Sequence, residues 1–305
     1  MNPPLTVLLT VYNGLPYIRE TVESVFAQNT GDDLPGFTFL ILNNGSEDGT
    51  GDFLDTLKAP AHIDLRIEHL PRNIGRTAVL NRGLEAVTTP LTAIIDADDI
   101  ALPDRLRRQT AFMAAHPNID VLGSDVLYIN PAGGEIGAMR VPQGHSALRD
   151  HLPLFNPFAH AAVCFRTEAA RTAGGYPENT PYAQDLALWI VMLRNGSQIA
   201  SLNEPLAKIR MHPGQATRSL IFQQARFEDA LRTAEDMLLI PGLSNAARQT
   251  AHLRVAGCLW RLGRKKAALG AAWEAVKVFP PPPFCNPLLL RRALLMIKKR
   301  FSPPL

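Results

Sequence analysis

The sequence predicts an α/β fold, a mostly parallel sheet flanked by helices, followed by an α-helical appendix. Three observations carry this expectation. Apolar, strand-like runs alternate four times with helix-period segments before residue 100, the pattern of parallel strands joined by right-handed crossovers. The fourth run, Leu91–Ile95, ends in Asp96, Asp98 and Asp99, and open α/β sheets place ligands at the carboxyl ends of their strands. After about Ser219 the texture becomes Ala-, Leu- and Arg-rich with helical period throughout. The division expected is therefore residues 1–219 and residues 220–305.

Leu5 to Val11 is apolar and β-branched, and Tyr12-Asn13-Gly14 breaks it. Pro16 to Gln28 follows with Ile18, Val22, Val25 and Phe26 at helical spacing. Phe37 to Leu42 is a second strand ending in Asn43-Asn44-Gly45-Ser46, and Asp48 to Leu57 a second helix. Leu65 to Leu70 alternates as a third strand. Gly75 to Val87 is a third helix, and Thr88-Thr89-Pro90 precedes the fourth strand. Pro103 to His116 reads as helix and Ile119 to Ile129 as strand, with a turn at Pro131 to Gly134. Ala161 to Phe165 is strand-like, and a short helix ends at Gly174-Gly175. Thr180-Pro181 forms an N-cap and first-turn pair for a helix running to Asn195, with Gly196 past its end. Pro205 to His212 is the last strand-like piece. Phe222 to Leu239, Ala246 to Leu262 and Lys265 to Val278 make the helical appendix, without a clear repeat at the tetratricopeptide period.

Composition narrows the classes. At 305 residues, 46% hydrophobic and 19% charged, the chain has a globular balance. Its three cysteines are odd in number and far apart, which argues against a disulfide framework or zinc site and suits a reducing compartment. No basic residue precedes the first apolar run, so no signal peptide is expected, and no run approaches the roughly 18 apolar residues of a spanning helix. The total charge of +3 hides an asymmetry. Arg254 to Leu305 holds eleven Lys/Arg against Glu274 alone, or +10, while the remainder carries −7. Leu288 to Phe301 adds a basic amphipathic pattern, suited either to anionic lipid or to packing on the domain with a solvated basic edge.

The acidic run offers two readings: oxygen ligands for Mg²⁺ or Mn²⁺ carrying a phosphate, or a cap for the following helix through Asp99 or Asp104. On an extended backbone Asp96 and Asp98 would point the same way and address one site. The rest of the chain supplies context. In order stand TVYNG, NNGSEDGT, RNIGRTAVLNRG, IIDADDIALPDRLRRQ, NPFAHAAVCFR, GGYPE, QDLALW and IRMHPGQAT. Eight short motifs in this order, over about residues 4 to 219, resemble the inverting family 2 glycosyltransferases with the GT-A fold.

The resemblance implies a nucleotide-diphosphate sugar donor, UDP- foremost, with Mn²⁺ or Mg²⁺ as cofactor and a glycan or lipid-linked acceptor. Thr10, Tyr12 and Asn13 would line the nucleobase pocket, Tyr12 offering a ring for stacking. Asn44 stands where the family usually has an Asp that reads the base edge, and Asn43 also replaces a frequent Asp. Asn73 would shape the loop before Arg76, whose guanidinium meets phosphate together with helix N–H groups. Asp96 would hold the ribose or share the ion, and Asp98, with Asp99 and His212, would bind the metal. Asp185 matches the catalytic base, set in a first helical turn whose dipole favours the ionised form. Relatives often flank this base with acidic residues where this chain has Gln184 and Ala187. His160 would face the acceptor cleft or sit as a satisfied core histidine, and Trp189 would line that cleft. Trp189 follows Ala-Leu, so the QxxRW motif of processive synthases is missing and one sugar per encounter is expected.

The implied setting is envelope or extracellular polysaccharide synthesis, in the cytoplasm or peripheral on the inner membrane face, with no nucleic acid among the partners. Asn43, Asn44 and Gln184 motivate a competing expectation, a non-catalytic sugar-nucleotide-binding or scaffold protein. A nucleotidyltransferase is a third, but no glycine-rich, lysine-bearing loop follows the first strand.

Overall fold

The structure, a computed structural model, describes residues 4–32, 34–215 and 223–278. Its first half keeps the expected alternation: β1 (Leu5–Val11), α1 (Ile18–Phe26), β2 (Phe37–Asn43), α2 (Thr50–Asp55), β3 (Ile63–His69), α3 (Arg76–Ala86) and β4 (Leu91–Asp96). Then come β5 (Ile100–Ala101), α4 (Arg105–Ala115), β6 (Val121–Ile129), β7 (Glu135–Met139), α5 (His145–His151), β8 (Cys164–Arg166) and α6 (Thr167–Thr172). The chain continues through α7 (Gln184–Arg194), β9 (Ile199–Arg210), α8 (Gln223–Met237), α9 (Asn245–Arg261) and α10 (Lys265–Val278).

One nine-stranded sheet runs in the order β3-β2-β1-β4-β8-β6-β9-β5, with β7 paired to β6. β3, β2, β1 and β4 are parallel; β8 inserts antiparallel beside β4, and β6 and β9 are again parallel. Period-two alternation divides the apolar residues between two faces. Leu8, Leu40, Leu42 and Ile94 pack with Val79, Leu80 and Leu84 of α3 and with the buried stripe of α7. Val7, Leu9, Phe39, Ile41 and Ile95 pack instead with Ile18, Val22 and Val25 of α1 and with Leu106 and Met113 of α4. The approach of α3 to β1 requires Gly83, where a Cβ would lie 2.6 Å from the Leu8 side chain.

Several boundaries differ from the sequence expectation. α2 begins at Thr50 because Asp48 Oδ1 accepts from Thr50 N–H at 3.0 Å, a turn that precedes the helix. α7 begins at Gln184, since Thr180 closes a turn onto Pro177 O and caps no helix. β9 starts at Ile199, with register shifts against β6 absorbing Pro205. β7 and α5 had no strong periodic signal. The division expected at 219 falls within residues 216–222, outside the described residues. Met237, Ile240, Leu243, Ala247 and Ala251 join the core containing α7, so the helical region shares the main core where it begins. Its outer part has a smaller cluster around Leu231, Val255, Leu259 and Ala268. The Leu288–Phe301 segment also lies outside the described residues.

Trp189 is wholly buried in α7, in edge or tilted contact with Phe158, Phe165 and His160. Trp189→Ala is therefore expected to cost about 3–5 kcal/mol, read as a lower urea midpoint at unchanged slope. A loss below about 1 kcal/mol would contradict this packing role.

Candidate active site

β4 delivers Asp96 at its last position, and the chain turns immediately, Asp99 N–H donating to Asp96 O at 3.2 Å. Ala97 and Asp98 lie in that turn. A turn, and not the extended backbone expected, thus brings Asp98 near Asp96. The three carboxylates meet different partners. Asp96 lies 3.3 Å from Arg76 Nη2 and 3.7 Å from His160 Nδ1. Burial alone would raise the Asp96 carboxyl, but the Arg76 guanidinium and His160 hold it well below the usual carboxylate range. Asp98 Oδ2 contacts His212 Nε2 at 2.9 Å; burial and the Asp96 charge push its carboxyl up against that pull. Asp99 is buried, and its Oδ1 accepts from the Arg210 backbone N–H at 2.8 Å. Burial and the charges of Asp98 and Asp96 push the Asp99 carboxyl well up.

Two buried guanidiniums brace this turn. Arg210, at the end of β9, donates to Asp98 O and Pro131 O, each at 3.0 Å, and pairs with Glu20 of α1. Its guanidinium carbon lies 4.7 Å from the Tyr17 ring centroid, and that ring contacts His212. Arg105 is fully buried behind β4. It donates to Ile94 O at 2.6 Å and Val163 O at 3.2 Å, where β4 meets the chain entering β8. Burial brings its guanidinium down to about 10.

The opposite wall comes from α7. Asp185 sits in its first turn, and Asn156 Nδ2 donates to Asp185 Oδ2 at 2.7 Å. With the Gln184 amide assigned by its partners, Gln184 Oε1 accepts from Arg76 Nε at 3.2 Å and its nitrogen donates to Pro181 O. Arg76 thus links β4 to the start of α7. Asp96 is the chief cause of its raised pKa, against burial, and Asp185 and Asp98 add to the field. Tyr176 Oη meets His160 Nε2 at 3.0 Å; burial and the charges of Asp185 and Asp96 push that phenol well up. Asn81 of α3 fixes Tyr176 by clasping its backbone, accepting from Tyr176 N–H and donating to Tyr176 O.

Two acceptor-side expectations are corrected. Trp189 is buried beneath the site and lines no cleft, because it falls on the α7 stripe facing the core. His160 is buried against Asp96 and Tyr176 and supports the acidic turn, so its cleft reading falls and its core reading stands.

On the donor side, a cavity of about 400 Å³ opens beside the carboxyl ends of β1–β3, lined by Tyr12, Ser46, Asp52, His69, Arg72 and Asn73 among others. Thr10 lies in register with Asp96 on β4, and the Tyr12 ring is largely exposed. Asn13, at φ 53°, accepts from Glu47 N–H through Oδ1, and its own N–H donates to Ser46 Oγ. Asn44 is buried: its amide donates to Asn73 Oδ1 at 3.1 Å and its Oδ1 accepts from Ile74 N–H at 2.9 Å. Asn73 Oδ1 also accepts from Gly75 N–H. The side chains of Asn13 and Asn44 are thus engaged in cross-linking loops. This departs from the expectation that Asn44 reads a base edge. The Asn44 amide gives Asn73 Oδ1 a second donor beside Gly75 N–H, which an ionised carboxylate could not.

The residues named as metal ligands do not converge as a set. Among the described residues no three His, Cys, Asp or Glu side chains form a cation site. Asp98 and His212 come together, while Asp99 is committed to Arg210 N–H. One carboxylate and one imidazole fit a divalent ion that draws its remaining ligands from a bound diphosphate. Sequence reasoning missed Asn156, Tyr176, Asn81 and Arg210 as site residues. All four lie within the motifs given above, but nothing local marked their partners. Arg210 stands two residues before His212, where a polar residue inside a strand was the available signal.

Asp99→Asn retains an oxygen for Arg210 N–H and removes the buried charge. A carboxyl raised in the folded state costs stability progressively as pH climbs from its ordinary 3.8 through the folded value. The variant is expected to melt higher than the parent at neutral pH and to converge with it near about pH 4, measured by calorimetry without added metal. Equal melting across the range would contradict the assignment.

The chain matches the family model of Glycosyl transferase family 2 over residues 6–167. The amylovoran biosynthesis glycosyltransferase AmsE of Erwinia amylovora is 33% identical over 165 residues, covering 52% of this chain and 61% of AmsE. That match therefore spans less than two thirds of the relative. S. aureus TarS 1–349, in complex with UDP-GlcNAc, aligns with a TM-score of 0.68 at 17% identity, covering 92% of this chain and 82% of that one. The mannosyltransferase PcManGT from Pyrobaculum calidifontis, in complex with GDP-Man and Mn²⁺, aligns at 0.60 and 16% identity, covering 99% and 82%. At such identities the likeness speaks to the fold, which is GT-A with a helical C-terminal region. Because the family match extends over more than half its length, this chain belongs to glycosyl transferase family 2.

Proposed function

We propose that this chain transfers one sugar from a nucleotide-diphosphate sugar to an acceptor hydroxyl, with inversion at the anomeric carbon, in envelope or extracellular polysaccharide synthesis. The observation that carries this reading is Arg76. A single guanidinium at the start of α3 contacts Asp96 and Gln184 and feels the charges of both Asp98 and Asp185. It joins the side suited to a diphosphate with the side suited to an acceptor base.

The reaction follows from these placements. The cavity beside Tyr12 and Asn73 takes the nucleoside, with the diphosphate against Arg76 and the α3 N-terminus. Asp98 and His212 would hold Mn²⁺ or Mg²⁺ together with that diphosphate, and the ion would neutralise charge on the leaving group. Asn156 holds one Asp185 oxygen. The described residues supply no hydrogen bond to the other, which takes the proton of the acceptor hydroxyl. The hydroxyl oxygen bonds to the anomeric carbon from the face opposite the diphosphate. The carbon–oxygen bond to the diphosphate breaks, and that oxygen keeps the electron pair. Asn43, Asn44 and Gln184, the departures that suggested a non-catalytic protein, each have a hydrogen-bonded role in the loops or with Arg76.

Asp185→Asn is expected to lower transfer by about 10²–10⁴-fold while donor binding, measured by calorimetry with UDP- and GDP-sugars plus Mn²⁺, survives. Intact turnover in that variant would defeat the assignment of the base. Absence of nucleotide diphosphate release by the parent protein with every donor that binds would favour the scaffold reading. Asn156→Ala is expected to slow transfer without weakening donor affinity, read as a fall in kcat at steady KM for the donor.

A further inference from the structure

The outer face of α10 combines two features that a solvated helix ordinarily keeps apart. Leu269 and Trp273 are 57% and 60% exposed, and Trp260 at the end of α9 is 49% exposed. Lys266, Leu269, Trp273 and Lys277 fall at i, i+3, i+7 and i+11, a single stripe along the helix. Ala268 and Ala275 are buried against the helical cluster, so the stripe points away from the protein. Lys265 Nζ lies 5.9 Å from the Trp260 ring centroid, which carries the patch around the α9–α10 turn. Gly263, Arg264, Lys265, Lys266 and Ala267 line a shallow depression at that turn.

We propose that this Trp–Leu–Lys face docks on an anionic lipid bilayer surface. Tryptophan rings at the boundary between water and hydrocarbon, with lysines toward the headgroups, are the composition of an interfacial helix. No helix among the described residues is long and apolar enough to cross a membrane. Charge identifies the occupant. Among the described residues, Glu274 pairs with Lys277 and Glu228 with Arg264, and both pairs are exposed and weak. Arg264, Lys265, Lys266 and Lys277 outnumber those two carboxylates. The chain's own residues 279–305 carry five basic residues and no acidic one, so they repel this face electrostatically and reinforce its attraction to anionic headgroups.

The test uses the full chain and vesicles of phosphatidylcholine with or without phosphatidylglycerol. The chain has three tryptophans, and the buried Trp189 serves as the internal reference. Brominated lipid is expected to quench the exposed tryptophans on anionic vesicles and to leave the Trp189 contribution unchanged. Trp273→Ser with Leu269→Ser, and separately Lys266→Glu with Lys277→Glu, are each expected to weaken binding about tenfold at unchanged Tm and donor affinity. Equal binding to neutral and anionic vesicles would overturn the proposal. So would undiminished binding of both double variants, which would locate any membrane contact elsewhere. A dimer that Trp273→Ser dissociates would overturn it in favour of a second copy as occupant.

Discussion

The Arg210 guanidinium is the constraint on which the site's geometry depends. A buried cation must be met on every side, and here its partners come from three separate pieces of chain: Glu20 and the Tyr17 ring at the start of α1, the carbonyl of Asp98 and the carbonyl of Pro131. The backbone N–H of Arg210 supplies the hydrogen bond to Asp99. The last turn of β4 therefore cannot shift without leaving charge or carbonyl groups unpaired. Because Arg210 stands two residues before His212, the same anchor fixes where the imidazole meets Asp98.

A second balance of charge operates around Arg76. Beside it stand the three carboxylates of the turn after β4, Asp96, Asp98 and Asp99, which left alone would repel one another. The fold assigns each a different neighbour: Arg76 and His160 for Asp96, His212 for Asp98, and Arg210 N–H for Asp99. Without a donor bound, burial and mutual repulsion raise two of the three, so the site holds excess negative field relieved by cationic or proton-bearing neighbours. That is the environment in which a divalent ion and its diphosphate are welcome.

Much of this was legible in the sequence. β1, β2 and β4 are wholly or nearly wholly apolar runs, and their helices carry clear stripes, so the parallel half of the sheet followed from periodicity. β7, with an exposed face, and the short α5 carry no such signal, because pairing with β6 and packing decide them. Asp96, Asp98, Asp185, Arg76 and His212 were singled out by motif order and lie around one turn in the structure, whereas Trp189 was assigned to a cleft it does not line. Motif position cannot say which side of a helix faces the core when apolar residues surround the candidate, as they do from Leu186 to Leu193. The partners of Arg76 and Asp185 come from segments 108 and 29 residues away in sequence, and only the folded chain shows them adjacent.

The Asn44–Asn73 contact makes two distant positions one chemical unit. An Asp at 44 would meet the Asn73 oxygen with like charge, or turn the Asn73 amide over and take away the acceptor that Gly75 N–H uses. Substitutions at the two positions are consequently non-additive, and the double change costs less than the sum of the single ones. The amide at 44 thus ties the loop after β2 to the loop before α3, so a change at either position is felt at the mouth of the donor-side cavity, where Asn73 is a lining residue.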